Sequence, residues 1–554
     1  MMKKIAILIV LCVISFSMNA QRGFGFRVNF CDKNGTATFA DSLQFLSQKS
    51  LDRRSNQGIV LDSTDLPIVQ MYIDSVMNVS AAVKLHNKSK WFNQIVVITY
   101  DSSKVAAIAN LPFVCKAELV AIYGSFTPKR DAPVGLSAKK IPTVEPLTNK
   151  TTGDPAYYGL TYQQVNMLEA DCLHDQGFRG EGMTIAVIDA GFRFSNTHTQ
   201  FDSLNNSGRF LATYDFIRDT TNVLRASDHG TNVMGVIIGE DPGSYVGIAP
   251  KSNIYALMTE DVFSEQPIEE DNWLSAAEWA DSAGADMING SLGYNEFSAA
   301  HRSYTYSNDL DGNSTLIART ANMAVSKGIF TCVAQGNSGA QIWHYMLTPA
   351  DADSAFSVGS VDGSGAWAQS GYGPNADGQT KPNGVALGRS VVLIGGGGTP
   401  GVANGSSFAS PLMAGAVACL WQALPQKTES QIRHLVMSVS DRFTSPNNTH
   451  GFGIPNFCMA YNLALGTDEF ENNVQSDFEV YPNPSEGSFT IRVKQAMLPY
   501  NFELYTMEGK KVSELSQIRN IQYTNSTLQN LPKGSYFIKL SSKLGEQKHT
   551  IINQ

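Results

Sequence analysis

The chain has no surplus of basic residues. Its 554 residues carry 41 Lys and Arg against 50 Asp and Glu, a net charge of −9, and no long basic block. A nucleic-acid partner is therefore not expected, because phosphate binding needs a concentrated positive field. Long apolar runs are missing too. The run over residues 5–16 falls short of the about 20 residues that span a bilayer. It follows Lys3 and Lys4 and leads into small or polar residues up to Ala20. That order reads as a secretory signal peptide over residues 1–20. Cysteine is scarce, seven in all, and its wide spacing fits no zinc pattern. Cys332 and Cys419 lie among apolar neighbours and read as buried free thiols. In an exported chain, Cys31 with Cys115 and Cys172 with Cys458 stay open as pairings. Charged residues make up 16% against 43% apolar, which excludes a disordered chain. Such a length calls for two to four domains.

The pattern of what is present divides the chain. Residues 21–125 read as a small α+β domain, with strands at 26–30 and 94–99 and helical patterns at 42–49, 67–77 and 102–109. Residues 126–154, rich in Pro, Lys, Thr and Gly, read as an exposed linker where proteolytic cutting is easiest. Over 155–466, strands at 183–188, 253–257, 287–289 and 329–334 alternate with helices beginning near 229, 272 and 313. This alternation predicts an α/β domain: a mostly parallel sheet with helices on both faces and its site at the carboxyl ends of the strands. A polar linker, 467–477, precedes a last block, 478–554, of short alternating strands and Pro- or Gly-containing turns. That block reads as a small β-sandwich.

Chemistry concentrates in the α/β block. Asn404-Gly405-Ser406-Ser407-Phe408-Ala409-Ser410-Pro411 reads as a glycine turn delivering Ser407 to the first turn of an apolar helix, near unpaired N–H groups and the positive end of the helix dipole. A serine needs a base to become a nucleophile. His229 opens the run Asp228-His229-Gly230-Thr231-Asn232, where small neighbours leave room for a substrate. Asp189 ends the strand Thr184-Ile185-Ala186-Val187-Ile188 and is suited to orient an imidazole. Asn337, in Gln335-Gly336-Asn337-Ser338-Gly339, offers an amide to an oxyanion.

In the order Asp, His, Asn, Ser, these four runs resemble the subtilisin-like serine proteases, the subtilases, whose triad follows the same chain order. The resemblance implies that Asp189 orients His229, that His229 acts as base and then acid, and that Ser407 attacks the peptide carbonyl. Asn337 and the Ser407 N–H would hold the oxyanion. Ile288-Asn289-Gly290-Ser291-Leu292-Gly293 resembles the family strand that pairs with an extended peptide, so Ser291, Leu292 and Gly293 are expected to bind substrate, with Gly293 and Gly336 keeping the first specificity pocket open. Some positions depart from the family pattern: Ala190 stands where Thr or Ser is usual, Asn232 where a second His is usual, and Ser406 where Thr is usual.

The flanking blocks carry resemblances of their own. Lys49-Ser50-Leu51-Asp52-Arg53-Arg54 and Ser89-Lys90-Trp91-Phe92-Asn93 resemble the propeptide of Bacteroidetes-type subtilases. This implies a chaperone and inhibitor removed by a cut in the linker. Val480-Tyr481-Pro482-Asn483-Pro484 and Leu531-Pro532-Lys533-Gly534-Ser535-Tyr536 resemble the type IX secretion sorting domain. This implies outer-membrane secretion machinery as a partner and a secreted or cell-surface product. No cofactor or catalytic metal is expected. Asp309, Asp311 and Asn313 open like an EF-hand loop, but Ser314 and Thr320 occupy its glycine and glutamate positions, so only an irregular, unassigned structural calcium stays open. The leading expectation is a secreted serine endopeptidase acting on polypeptides. The alternative is a catalytically silent protease-fold binding or scaffold protein at the cell surface.

Overall fold

The computed structural model describes residues 22–124, 153–471 and 478–553, apart from 484, 486, 507–509 and 544. The signal-peptide reading over 1–20, nearly all of the linker 126–154 and residues 472–477 of the second linker lie outside the described residues, while residues 467–471, expected as linker, continue the helix Phe457–Glu471. The chain divides into two units, Met1–Asn462 and Leu463–Gln554.

The first unit is built on a seven-stranded sheet. Its order is Gly384–Leu387, Phe356–Val361, Phe330–Ala334, Met287–Gly290, Thr184–Asp189, Asn253–Met258, Phe210–Asp215. Every neighbouring pair is parallel. All six residues of Thr184–Asp189 are buried, which explains its near-continuous apolar run: both of its faces are covered. Ala186 and Ile188 join one core with Trp273, Leu274, Ile317 and Ala321, from helices Ile268–Ala283 and Leu316–Ser326. Helices His229–Ile238 and Ser406–Ala423 pack on each other and against the sheet as a second layer. The alternation read in the sequence thus becomes two helical layers around one parallel sheet.

The N-terminal residues form a four-stranded antiparallel sheet, ordered Val83–Ser89, Gln94–Thr99, Gly23–Phe30, Val114–Tyr123. On one face Phe26, Val28, Ile95 and Val97 pack with Tyr72, Ile73, Val76 and Ile108 from this region's own helices. On the other, Val96, Val120 and Ala121 meet Ile268 of the larger domain. Two details differ from expectation. The single helix expected over 42–49 is two pieces, a 3-10 turn Phe39–Gln44 and a helix Gln48–Asn56, because the Ser47 side chain accepts from Ser50 N at 3.2 Å and starts a new helix there. The strands Val83–Ser89 and Val114–Tyr123 are not evident from sequence, since their polar and charged residues mask the alternation.

Disulfides join Cys31 to Cys115 and Cys172 to Cys458, while Cys332 and Cys419 are buried free thiols. The second unit pairs a three-stranded with a four-stranded antiparallel sheet. Phe489, Ile491 and Val493 from one and Phe502, Leu504, Ile538 and Leu540 from the other share a core, so alternate residues of each strand face inward.

Candidate active site

Asp189 is the last residue of Thr184–Asp189, and His229 is the first of the helix His229–Ile238. They meet because Gly230 lets that helix start against the strand end. A methyl group on Gly230 would sit 2.6 Å from Gly191 O and 2.9 Å from Asp189 Cβ. The result is a 2.7 Å contact between His229 Nδ1 and Asp189 Oδ1. The Asp189 side chain is 1% exposed and that of His229 18%, so the carboxylate is shielded while the imidazole reaches the surface. Burial pulls the His229 pKa down, but the Asp189 charge and hydrogen bond, with Asp228 and Glu260, raise it above the ordinary imidazole value. Ala190 N also donates to Asp189 Oδ1, at 2.7 Å. Oδ2 is buried with no hydrogen-bond partner among the described residues.

Ser407 occupies the first turn of Ser406–Ala423, as expected, and Pro411 shapes its surroundings. A proline has no N–H, so the carbonyl four residues earlier, that of Ser407, gets no helical partner. Ser291 Oγ fills the place, donating to Ser407 O at 2.9 Å. Ser291 Oγ accepts from Asn289 Nδ2 at 3.0 Å, and Asn289 Oδ1 accepts from Ser410 Oγ at 2.8 Å. A closed polar network thereby ties the end of Met287–Gly290 to the helix that bears Ser407. The Ser407 hydroxyl donates to Ser291 O at 3.1 Å rather than to the imidazole. The His229 ring lies 5.7 Å from that of Phe408, next to Ser407.

Asn337 follows Phe330–Ala334, so it too stands beyond a strand's carboxyl end. Its Oδ1 accepts from Ser406 N at 2.8 Å and Ser406 Oγ at 3.1 Å. Those two donors fix the amide's orientation and leave Nδ2 to face elsewhere. Gly293 and Gly336 face one side chain, that of Leu347, which stands against both glycines.

Other neighbours were not legible in the sequence. Glu260, just beyond Asn253–Met258, accepts from Tyr294 Oη at 2.5 Å and Thr259 Oγ1 at 3.1 Å. Burial, and then the charges of Asp189 and Asp261 against those hydrogen bonds, push its pKa up to about 7. The acidic loop at 309–313 is internally satisfied. Arg302 pairs with Asp309, and Asp311 accepts from Asn313 N and Ser314. Among the described residues, no group of three or more His, Cys, Asp or Glu gathers as a metal site.

Residues 180–454 match the profile of the subtilase family, peptidase S8. Residues 25–132 match the peptidase S8 propeptide domain of Bacteroidota, and residues 479–554 a secretion system C-terminal sorting domain. Subtilisin from Bacillus pumilus is 30% identical over 281 residues, 50% of this chain and 90% of that relative. Subtilisin E from Bacillus subtilis (strain 168) is 30% identical over 281 residues, and the chain spans 65% of its length. The solved structure of MycP1 with the N-terminal propeptide removed aligns with a TM-score of 0.42 and 23% identity, over 54% of this chain and 96% of that one. The chain belongs to the subtilase family. Its tail marks it as an exported protein, secreted or attached at the cell surface.

Proposed function

We propose that this protein is a serine endopeptidase that hydrolyses extended polypeptides through an acyl-enzyme. The observation that carries the reading is the 2.7 Å contact between Asp189 and His229 at a strand's carboxyl end, with the imidazole beside the turn that bears Ser407. On this reading the Ser407 hydroxyl turns from Ser291 O to His229 Nε2. As its oxygen bonds to the substrate carbonyl carbon, its proton passes to the imidazole. Asn337 Nδ2 and the Ser407 N–H hold the oxyanion. The imidazolium then protonates the leaving amine, and water, deprotonated by the same ring, releases the acyl group. Substrate main chain pairs with residues 291–293. The chemistry asks for no cofactor. The N-terminal domain serves as inhibitor and chaperone until a cut within 125–154, and the tail engages the outer-membrane secretion machinery.

Two observations favour a second reading. The Ser407 hydroxyl points at Ser291 O, and Asp189 Oδ2 lacks a donor among the described residues, which suits a silent protease-fold binding protein. A fluorophosphonate probe separates the two. The processed protein is expected to be labelled and to hydrolyse casein, with Ser407→Ala losing both. If processed wild type does neither, the binding reading replaces the catalytic one.

A further inference from the structure

Gly293 and Gly336 look onto the same side chain. A methyl group on Gly336 would lie 2.7 Å from Leu347 Cγ and 3.1 Å from its Cδ1, and one on Gly293 would lie 2.9 Å from Leu347 Cβ. The backbone holds Leu347 in place between these two walls. Its N–H donates to Gln335 O at 3.2 Å, while Thr348 N donates to Tyr294 O at 3.1 Å and Tyr294 N to Thr348 O at 2.8 Å. Leu347 is half-buried between fully buried neighbours, Met346 and Thr348, so its outer surface borders open space.

We propose that Leu347 is the floor of the pocket for the substrate residue whose carbonyl Ser407 attacks, and that it limits this residue to small side chains such as alanine, serine or glycine. The inference rests on the endopeptidase reading above. Its geometry follows from the neighbours. Gly293 lies two residues beyond Ser291, whose carbonyl accepts from Ser407 Oγ, and Gly336 directly precedes Asn337. The gap between the glycines therefore flanks the point where a carbonyl would meet both Ser407 and Asn337. An extended peptide laid along 291–293 turns one side chain into that gap, its neighbours pointing away. There the isobutyl group of Leu347 takes the volume that a phenylalanine or leucine side chain would need, and forcing a large group into filled space is unfavourable. Glycine walls and a leucine floor also supply no counter-charge for lysine or arginine.

The test uses processed enzyme, counted by fluorophosphonate titration and assayed on a peptide library varied at the residue before the cut. For wild type, kcat/KM after alanine is expected to exceed that after phenylalanine by roughly 10- to 200-fold, the range that steric fit in an apolar pocket supplies. Leu347→Gly is expected to narrow or reverse that ratio. The gentler Leu347→Ala should move it the same way by a smaller step, which covers the case in which glycine loosens the fold. Equal cleavage after alanine and phenylalanine by wild type, or a ratio unmoved in titratable Leu347→Ala, overturns the proposal. A processed wild type that the probe does not label fails at the catalytic reading itself, and the two failures are told apart.

Discussion

At the scale of single residues, the candidate triad is tuned by what surrounds its carboxylate. His229 carries a raised pKa, so the neutral imidazole that a base requires dominates only at higher pH. We expect kcat/KM to rise with pH through a value above that of an ordinary imidazole. Ala190→Ser adds a hydroxyl at the residue next to Asp189, whose Oδ2 has no partner among the described residues, and that hydroxyl is expected to donate to it. Spreading the carboxylate's charge onto that donor stabilises the imidazolium less, and the acid limb should move to lower pH. Glu260→Gln should move it the same way by removing a negative charge that favours the imidazolium. A pH profile of kcat/KM checks both, and an unmoved limb in Ala190→Ser would mean that the new hydroxyl does not reach Oδ2. Asn337→Ala should lower kcat by about 10²- to 10³-fold, with KM little changed. Asp189 was legible as a candidate because it ends an apolar strand before Ala190-Gly191, and His229, Asn337 and Ser407 because each sits in a run of small residues. Leu347 and Glu260 were not, since their meaning lies in contacts with residues far away in the chain, such as Gly336 and Tyr294.

Among the elements, the junction of Met287–Gly290 with Ser406–Ala423 shows how a residue poorly suited to helices serves a site. Pro411 leaves the Ser407 carbonyl free, and Ser291 Oγ completes it. Ser291→Ala leaves that carbonyl short of a donor, a loss of about 1–3 kcal/mol. Pro411→Ala returns an N–H to the helix at the position that would serve the same carbonyl. The pair should therefore be non-additive in chemical denaturation: Ser291→Ala costs less stability when Pro411→Ala is already present. Additive losses would show that Ser291 and Pro411 do not share the carbonyl. Element positions are legible where strands are buried on both faces, as at Thr184–Asp189. They are obscured where one face is polar, as at Val83–Ser89, whose inward residues Val83, Asn87 and Ser89 include two that do not read as core. The covering of that strand by a second domain is not written in its own sequence.

For the whole molecule, the decisive question is whether the N-terminal domain is a temporary cover, and the interface bears on it through its charge. Its sheet and its helix Gln48–Asn56 meet the helix Ile268–Ala283 and engage three of that helix's acids, Asp271, Glu278 and Asp281. Arg27 Nε and Nη2 each reach Asp271 at 2.7 Å. Arg54 pairs with Asp281 at 2.8 Å, and Arg53 pairs with the same carboxylate. Glu278 accepts from Ser89 Oγ at 2.7 Å, Lys90 N at 2.9 Å and Trp91 N at 3.0 Å. The interface also holds apolar contacts, Val96, Val120 and Ala121 on Ile268 and Trp91 in the core of the larger domain, but the carboxylates released from these polar contacts would be hydrated on separation. Burial pushes the Glu278 carboxyl upward in pKa, against Lys90 and the two backbone donors, so its charge is sustained by contacts that exist only while the domain is docked. Glu278→Ala strips the Lys90 and Trp91 N–H groups of their acceptor, at about 1–3 kcal/mol for each buried group left unsatisfied. In the uncut Ser407→Ala chain, denaturation should therefore show a clear loss of stability. In the processed enzyme, where Glu278 would face water once the domain has gone, the same substitution should fall within about 0.5 kcal/mol of no effect. Comparing the two variants in one denaturant series decides the matter, because an equal loss in both forms would mean that the domain stays attached after processing.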